Sequence, residues 1–246
     1  MYKAHPCFLP PENENVKIWR YLDIPRFLWL IERKSLYFSR CDLLGDPFEG
    51  SLPSSPNQII PRYIGNVEIW KGKSPLAMWR ELCYICSFHM NDFESAALWS
   101  IYSKSNQGVA IQLTYKRLIK SLEDYPEDVQ IGTVKYIDYR SDVIEFGNSF
   151  LPILHKRKSF EHEKEIRAVI LPINELSNRI SDDCREIKPV LPEGVNIPID
   201  LGRSIERIYL APTTKPWIKE LLQSIMDKNG IDIPLEQSSL DANPII

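Results

Sequence analysis

Hydrophobic and polar positions alternate along Val16-Lys17-Ile18-Trp19-Arg20-Tyr21, which predicts a strand. Asp23 then offers an N-cap, Pro25 suits a first turn, and Phe27, Leu30 and Ile31 share one helical face. Leu36-Tyr37-Phe38-Ser39 predicts a second strand, and Gly45-Asp46-Pro47-Phe48-Glu49-Gly50 a turn. The stretch from Ser51 to Ser74 reads as an irregular surface excursion. Further on, helices are predicted over Pro75–Glu81, Glu94–Ser103, from Thr114 to Leu122, and over Lys215–Lys228, the last stopped at Gly230. On that last helix Trp217, Leu221, Leu222 and Ile225 form the expected apolar stripe. Strands are predicted at Cys83–Phe88, Gly108–Leu113, Gln130–Tyr139, Glu165–Leu171 and Arg207–Leu210. Between them, Ser141–Ser159 reads as partly helical and ends in the basic run His155-Lys156-Arg157-Lys158.

Strands and helices intersperse without strict βαβ alternation. That predicts a single α+β domain over residues 16–246, with a mixed, largely antiparallel sheet and flanking helices. Residues 1–15 read as a loose N-terminal arm.

Composition narrows the classes. The chain has 246 residues with 43% hydrophobic and 26% charged positions, which excludes a disordered chain and a disulfide miniprotein. A net charge of −3 argues against a dedicated DNA-coating protein, leaving nucleic acid as a partner only through a local patch such as 155–158. No stretch approaches the roughly 20 apolar residues of a membrane span. The polar, Pro-rich start lacks the features of a signal peptide, and five cysteines suit reduced thiols, so a cytoplasmic setting is expected. Ten glycines leave little material for a phosphate loop, and neither the P-loop nor the dinucleotide motif is present.

Glu163-x-Glu165-x-Arg167 is the strongest chemical feature. On a strand all three side chains point to one face, the carboxylates about 7 Å apart. Such a face is either a solvated charge ladder or a pair of carboxylates with a cation in one cleft, able to play different roles. Asp46, Glu49 and Arg40 form a second group, read as a structural turn or as the rim of a substrate pocket. A third group holds His89 at a strand exit, with Glu94, Trp99 and Tyr102 at helical spacing. There His89 and Tyr102 are candidate ligand contacts. Cys83-x-x-Cys86 lacks the second pair a zinc site needs and reads as buried hydrophobes; no metal is expected.

Several blocks resemble the bacterial family known as domain of unknown function 2971. They are Leu36-Tyr37-Phe38-Ser39-Arg40 with 45–50, Glu94 to Tyr102, Gly108-Val109-Ala110-Ile111, Lys156 to Val169, and Ser238-Ser239-Leu240. A weaker, pattern-level resemblance is to ADP-ribosyltransferases. Trp19-Arg20-Tyr21-Leu22-Asp23 resembles their early strand, and Cys86-Ser87-Phe88 their middle strand with one hydroxyl of the usual three. Glu163-Lys164-Glu165 resembles their Glu-x-Glu strand.

That resemblance implies NAD as co-substrate, Arg20 as a cofactor contact and Ser87 as a positioning hydroxyl, and Arg167, the cation beside the two carboxylates, is a further candidate cofactor contact. It implies that Glu165 stabilises oxocarbenium-like charge and that Glu163 orients an acceptor. The implied function is ADP-ribosyl transfer or NAD glycohydrolysis, as a toxin or defence effector acting on an unknown macromolecular acceptor. The alternatives are a non-catalytic ligand- or nucleic-acid-binding module, and a metal-dependent phosphodiesterase built on the same carboxylates.

Overall fold

The computed structural model describes residues 1–59, 75–103, 107–145, 147–171 and 191–242. Local chemistry sets the elements much as expected. β1 (Lys17–Asp23) ends where the Asp23 carboxylate accepts from Arg26 N at 2.8 Å, and α1 (Ile24–Arg33) begins there. Phe27, Leu30 and Ile31 are the buried face of α1. β2 (Ser35–Arg40), α2 (Pro75–Leu82) and β3 (Tyr84–Met90) follow. Ser95 caps α3 (Ala96–Tyr102). β4 (Gly108–Thr114) runs into α4 (Tyr115–Ser121), capped by Thr114.

The expected strand over 130–139 is two pieces, β5 (Val129–Thr133) and β6 (Lys135–Ile137). The expected helical stretch before Ser159 is a 3₁₀ turn, Leu151–Leu154, leading into β7 (His155–Arg157). A second 3₁₀ turn, Lys158–Glu163, precedes β8 (Glu165–Ile170). The chain closes with β9 (Gly194–Pro198), α5 (Leu201–Ser204), β10 (Arg207–Leu210), α6 (Pro216–Lys228) and β11 (Leu235–Gln237). Along α6 the buried residues are Ile218, Leu222 and Met226. Trp217 and Leu221, expected in the apolar stripe, are exposed, because the buried stripe follows the 218–222–226 spacing instead.

The chain forms two compact units whose segments alternate in sequence. The first comprises Met1–Pro10, Tyr37–Cys86 and Tyr125–Val195. In it β5 pairs antiparallel with β8, and Ser39 and Arg40 of β2 face Ile85 and Tyr84 of β3, also antiparallel. β6 and β7 form a small parallel pair, with Tyr136 opposite Lys156. Phe8, Cys41, Cys83, Ile85, Ile153, Leu154 and Val169 make a core cluster there. The expected loose arm is therefore corrected over its first ten residues. Tyr2 bridges to Val129, and Phe8 is buried in the core.

The second unit comprises Pro11–Leu36, Ser87–Asp124 and Asn196–Ile246. There β1 lies between β4 and the end of β3, antiparallel to both. β10 pairs antiparallel with β4, and β11 joins it in parallel. Trp19, Tyr21, Leu98, Trp99, Ala110 and Ala211 pack as a core cluster. The pairing is thus mixed and largely antiparallel, as expected. No helix among the described residues is long and apolar enough to cross a membrane.

Candidate functional site

β8 is buried on both faces. Ile166, Ala168 and Ile170 supply apolar surface, so Glu165 and Arg167 on the other face must neutralise each other in a site closed to water. Arg167 is fully buried. Its Nε donates to Glu165 Oε1 at 2.8 Å, its Nη2 to Glu165 Oε2 at 3.0 Å, and its Nη1 to the Ile153 carbonyl at 2.6 Å. Nη2 also donates to Glu49 Oε2. Lys156, on β7, reaches the same cluster. Its Nζ lies 3.2 Å from Glu165 Oε2, 3.3 Å from Glu49 Oε1 and 2.5 Å from Glu163 Oε2.

The turn at residues 46–50 delivers Glu49. Gly50 takes φ +71°, and a Cβ there would meet Arg80 Cγ at 2.8 Å, so glycine is required. The Asp46 carboxylate accepts from Phe48 N at 3.1 Å and from Arg157 Nε and Nη2 at 3.0 and 2.8 Å. Consecutive cations of β7 therefore grip the two acids of a single turn, Lys156 holding Glu49 and Arg157 holding Asp46.

Burial opposes the charge of Lys156, but Glu165 and Glu49 more than offset it and hold the ammonium above the ordinary lysine range. Arg167 is held above its ordinary value by the same two carboxylates against the same opposing burial. Burial raises the Glu163 carboxyl, and Lys156 only partly counters it. Burial also raises the Tyr136 phenol, so its hydroxyl stays protonated. That hydroxyl accepts from Glu165 N at 2.7 Å.

Several expectations change here. Glu163 is not on the strand: it ends the 3₁₀ turn, and Lys164 at φ +40° breaks the register before β8. Glu163 still meets Glu165, but through Lys156 rather than through strand alternation. The basic run is no solvated helix end, since His155 and Lys156 are buried. Arg40, expected beside Asp46 and Glu49, is forked onto Asp42 at 2.6 and 3.1 Å and donates to the Leu191 carbonyl. The two expected groups, 46–49 and 163–167, are one cluster. Sequence reading missed Lys156 and Tyr136 as members. The signal available was alternation in His155-Lys156-Arg157, which sends neighbouring cations to opposite faces.

Arg20, Ser87, His89 and Tyr102 belong to the second unit. The Arg20 guanidinium lies 5.7 Å from the Phe88 ring centre. His89 is buried near Tyr21, with ring centres 6.3 Å apart. Tyr102 is exposed at the end of α3, while Trp99 is core and donates to Glu94 Oε2 at 2.9 Å. An open cavity of about 450 Å³ in this unit, lined by Arg117, Glu206, Arg207 and Asp232, contains none of the expected site residues.

Cys41, Cys83 and Cys86 are buried and outside any disulfide, Cys83 and Cys86 as expected for small hydrophobes, and Cys184 lies outside the described residues. Among the described residues no group of three or more His, Cys, Asp or Glu is arranged to hold a metal ion.

No family model matches the chain and no curated protein matches it, so the likeness to the domain of unknown function 2971 family rests on the sequence blocks alone. Among solved structures, Thermus sp. 2.9 DarT in complex with NAD+ is similar at 10% identity and TM-score 0.39, covering 95% of this chain and 100% of that chain. The same protein in complex with ADP-ribosylated ssDNA gives 10% identity and TM-score 0.38, covering 95% and 97%. In complex with carba-NAD+ it gives 11% and 0.37, covering 94% and 98%.

Proposed function

We propose that the chain consumes NAD, as an ADP-ribosyltransferase or NAD glycohydrolase, with Glu163 as the carboxylate that faces the reacting ribose. One observation carries the reading: a buried cluster of three carboxylates, Glu49, Glu163 and Glu165, against two cations, Lys156 and Arg167. Burying ions costs several kcal/mol each, and a cluster of this kind is weak evidence for stability. Perturbed groups in such surroundings are candidates for function.

The cluster carries one excess negative charge. Glu163 is its most accessible carboxylate, with 17% of its side chain exposed. An excess anion at the edge of a low-dielectric site stabilises positive charge that develops there. When the C1′–N bond breaks, its electron pair passes to the pyridinium nitrogen and nicotinamide leaves neutral. The ribose then carries oxocarbenium-like charge until the acceptor, or water, bonds C1′ and releases its proton.

Glu165 takes a different role from the one expected of it. It is 6% exposed and bound by both cations, so it positions Lys156, and through it Glu163, rather than touching substrate. Arg20→Gln and Ser87→Ala test the roles expected of those residues separately.

The deciding experiment incubates purified protein with labelled NAD and a cell lysate, beside Glu163→Gln. Nicotinamide release that depends on Glu163 is expected, and the labelled product identifies the acceptor. Intact NAD with a well-folded protein refutes the reading and favours a ligand-binding module.

A further inference from the structure

Arg157 follows Lys156 on β7 and takes Asp46, whereas Lys156 takes Glu49, Glu163 and Glu165. Its side chain is 37% exposed, yet it is held on several sides. Nε and Nη2 fork onto Asp46, whose side chain is 1% exposed. The guanidinium lies 4.5 Å from the Phe48 ring centre and 5.3 Å from that of Phe160. Among the described residues, Nη1 donates to nothing. The result is a rigid donor facing outward, whose conformational entropy is already lost before any ligand arrives.

The Phe160 ring also borders Lys156 Nζ, at 4.9 Å. Lys156 in turn holds Glu163. The Phe160 ring thus borders both the exposed guanidinium and the ammonium that holds the accessible carboxylate. Guanidinium nitrogens match phosphate oxygens in geometry, and a guanidinium fixed by a buried acid acts as a directed donor rather than as a diffuse field.

We propose that Arg157 binds a phosphate oxygen of a nucleotide through Nη1. The identity of the ligand rests on the NAD reading above; the anion site itself does not. Asp46 is the positioning residue that holds the fork, and Phe48 and Phe160 fix its plane.

The test measures ADP-ribose binding by calorimetry for wild type, Arg157→Gln and Arg157→Lys, with a thermal melt of each. At least a tenfold loss of affinity in Arg157→Gln is expected, with a lower melting temperature because the buried Asp46 carboxylate loses its cation. Unchanged affinity, or no ADP-ribose binding by wild type, overturns the proposal. Where Arg157→Gln melts lower, Arg157→Lys decides, because lysine restores a cation without the fork to Asp46. Recovery of binding without recovery of melting temperature supports the anion contact. Binding that simply tracks melting temperature overturns it. Arg157-dependent ADP-ribose binding by a wild type that never releases nicotinamide would sink the transferase reading and leave the anion site standing.

Discussion

Glu49 and Glu165, from distant parts of the sequence, accept from the same nitrogen, Nη2 of Arg167. The turn at 46–50 is thereby bolted to β8 through a side chain that no water reaches. Glu49→Ala takes one charged contact from Arg167 and one from Lys156, which keep Glu165 and Glu163 as partners, and losing a hydrogen bond to a charged group costs about 1.5–3 kcal/mol. Urea denaturation is expected to show a loss of that order. A loss near zero would mean the turn is held by Asp46 and Arg157 alone.

Glu163→Gln and Glu165→Gln should separate chemistry from architecture. Glu163 is the more accessible, so its amide variant is expected to keep its melting temperature within a few degrees. Its nicotinamide release should fall at least a hundredfold, the scale of losing one preorganised charge-stabilising group. Glu165→Gln should melt well below wild type. Equal melting temperatures for the two variants would contradict the burial-based division of roles.

Glu163 also makes a pH prediction with a definite sign. Burial, the largest influence, raises its pKa above 4.5, so the folded state holds the proton more tightly than the unfolded one. Stability therefore falls as pH rises from about 4.5 through the folded-state value, and the penalty is complete above it. Denaturation midpoints measured from acid to neutral pH should show this fall in wild type and lose it in Glu163→Gln. Turnover should run the other way, rising through the same folded-state value as the carboxylate ionises.

Much of the scaffold was legible in the sequence because local signals act locally. Asp23 and Thr114 cap helices in the way their side chains dictate, and β10 has its expected bounds. The candidate site was legible only in parts. Glu163, Glu165, Arg167, Asp46 and Glu49 stood out as charged residues. Nothing in local spacing showed that long-range pairing would gather them. Lys156 was hidden inside a basic run, where a buried lysine looks like the exposed Lys158. The left-handed turn at Lys164 defeated the strand alternation, since a lysine carries no mark of positive φ as a glycine would.

The thiols give a prediction that does not depend on any catalytic reading. Burial pushes the Cys41 thiol up to about 11 and raises Cys83 well above its ordinary value. Thiolate, the reactive form, is therefore scarce at neutral pH, and both sulfurs are shielded. A thiol reagent should label neither residue in the folded protein and both in urea, as mass spectrometry of the peptides would show. Labelling in native buffer at the unfolded rate would mean that this core opens readily.

The first residues of the chain lie along the side of β5 away from β8. Val129 N donates to the Met1 carbonyl, Lys3 N to the Val129 carbonyl and Thr133 N to the Leu9 carbonyl, each at 2.9 Å. The approach is close enough that a Cβ on Gly132 would sit 2.6 Å from Phe8 Cα. A strand edge left open recruits other chains, so this segment acts as a guard against aggregation. Deleting residues 1–9, or displacing them with Gly132→Val, should turn a well-behaved solution into one that self-associates with rising concentration. Light scattering would register that change without reference to any ligand.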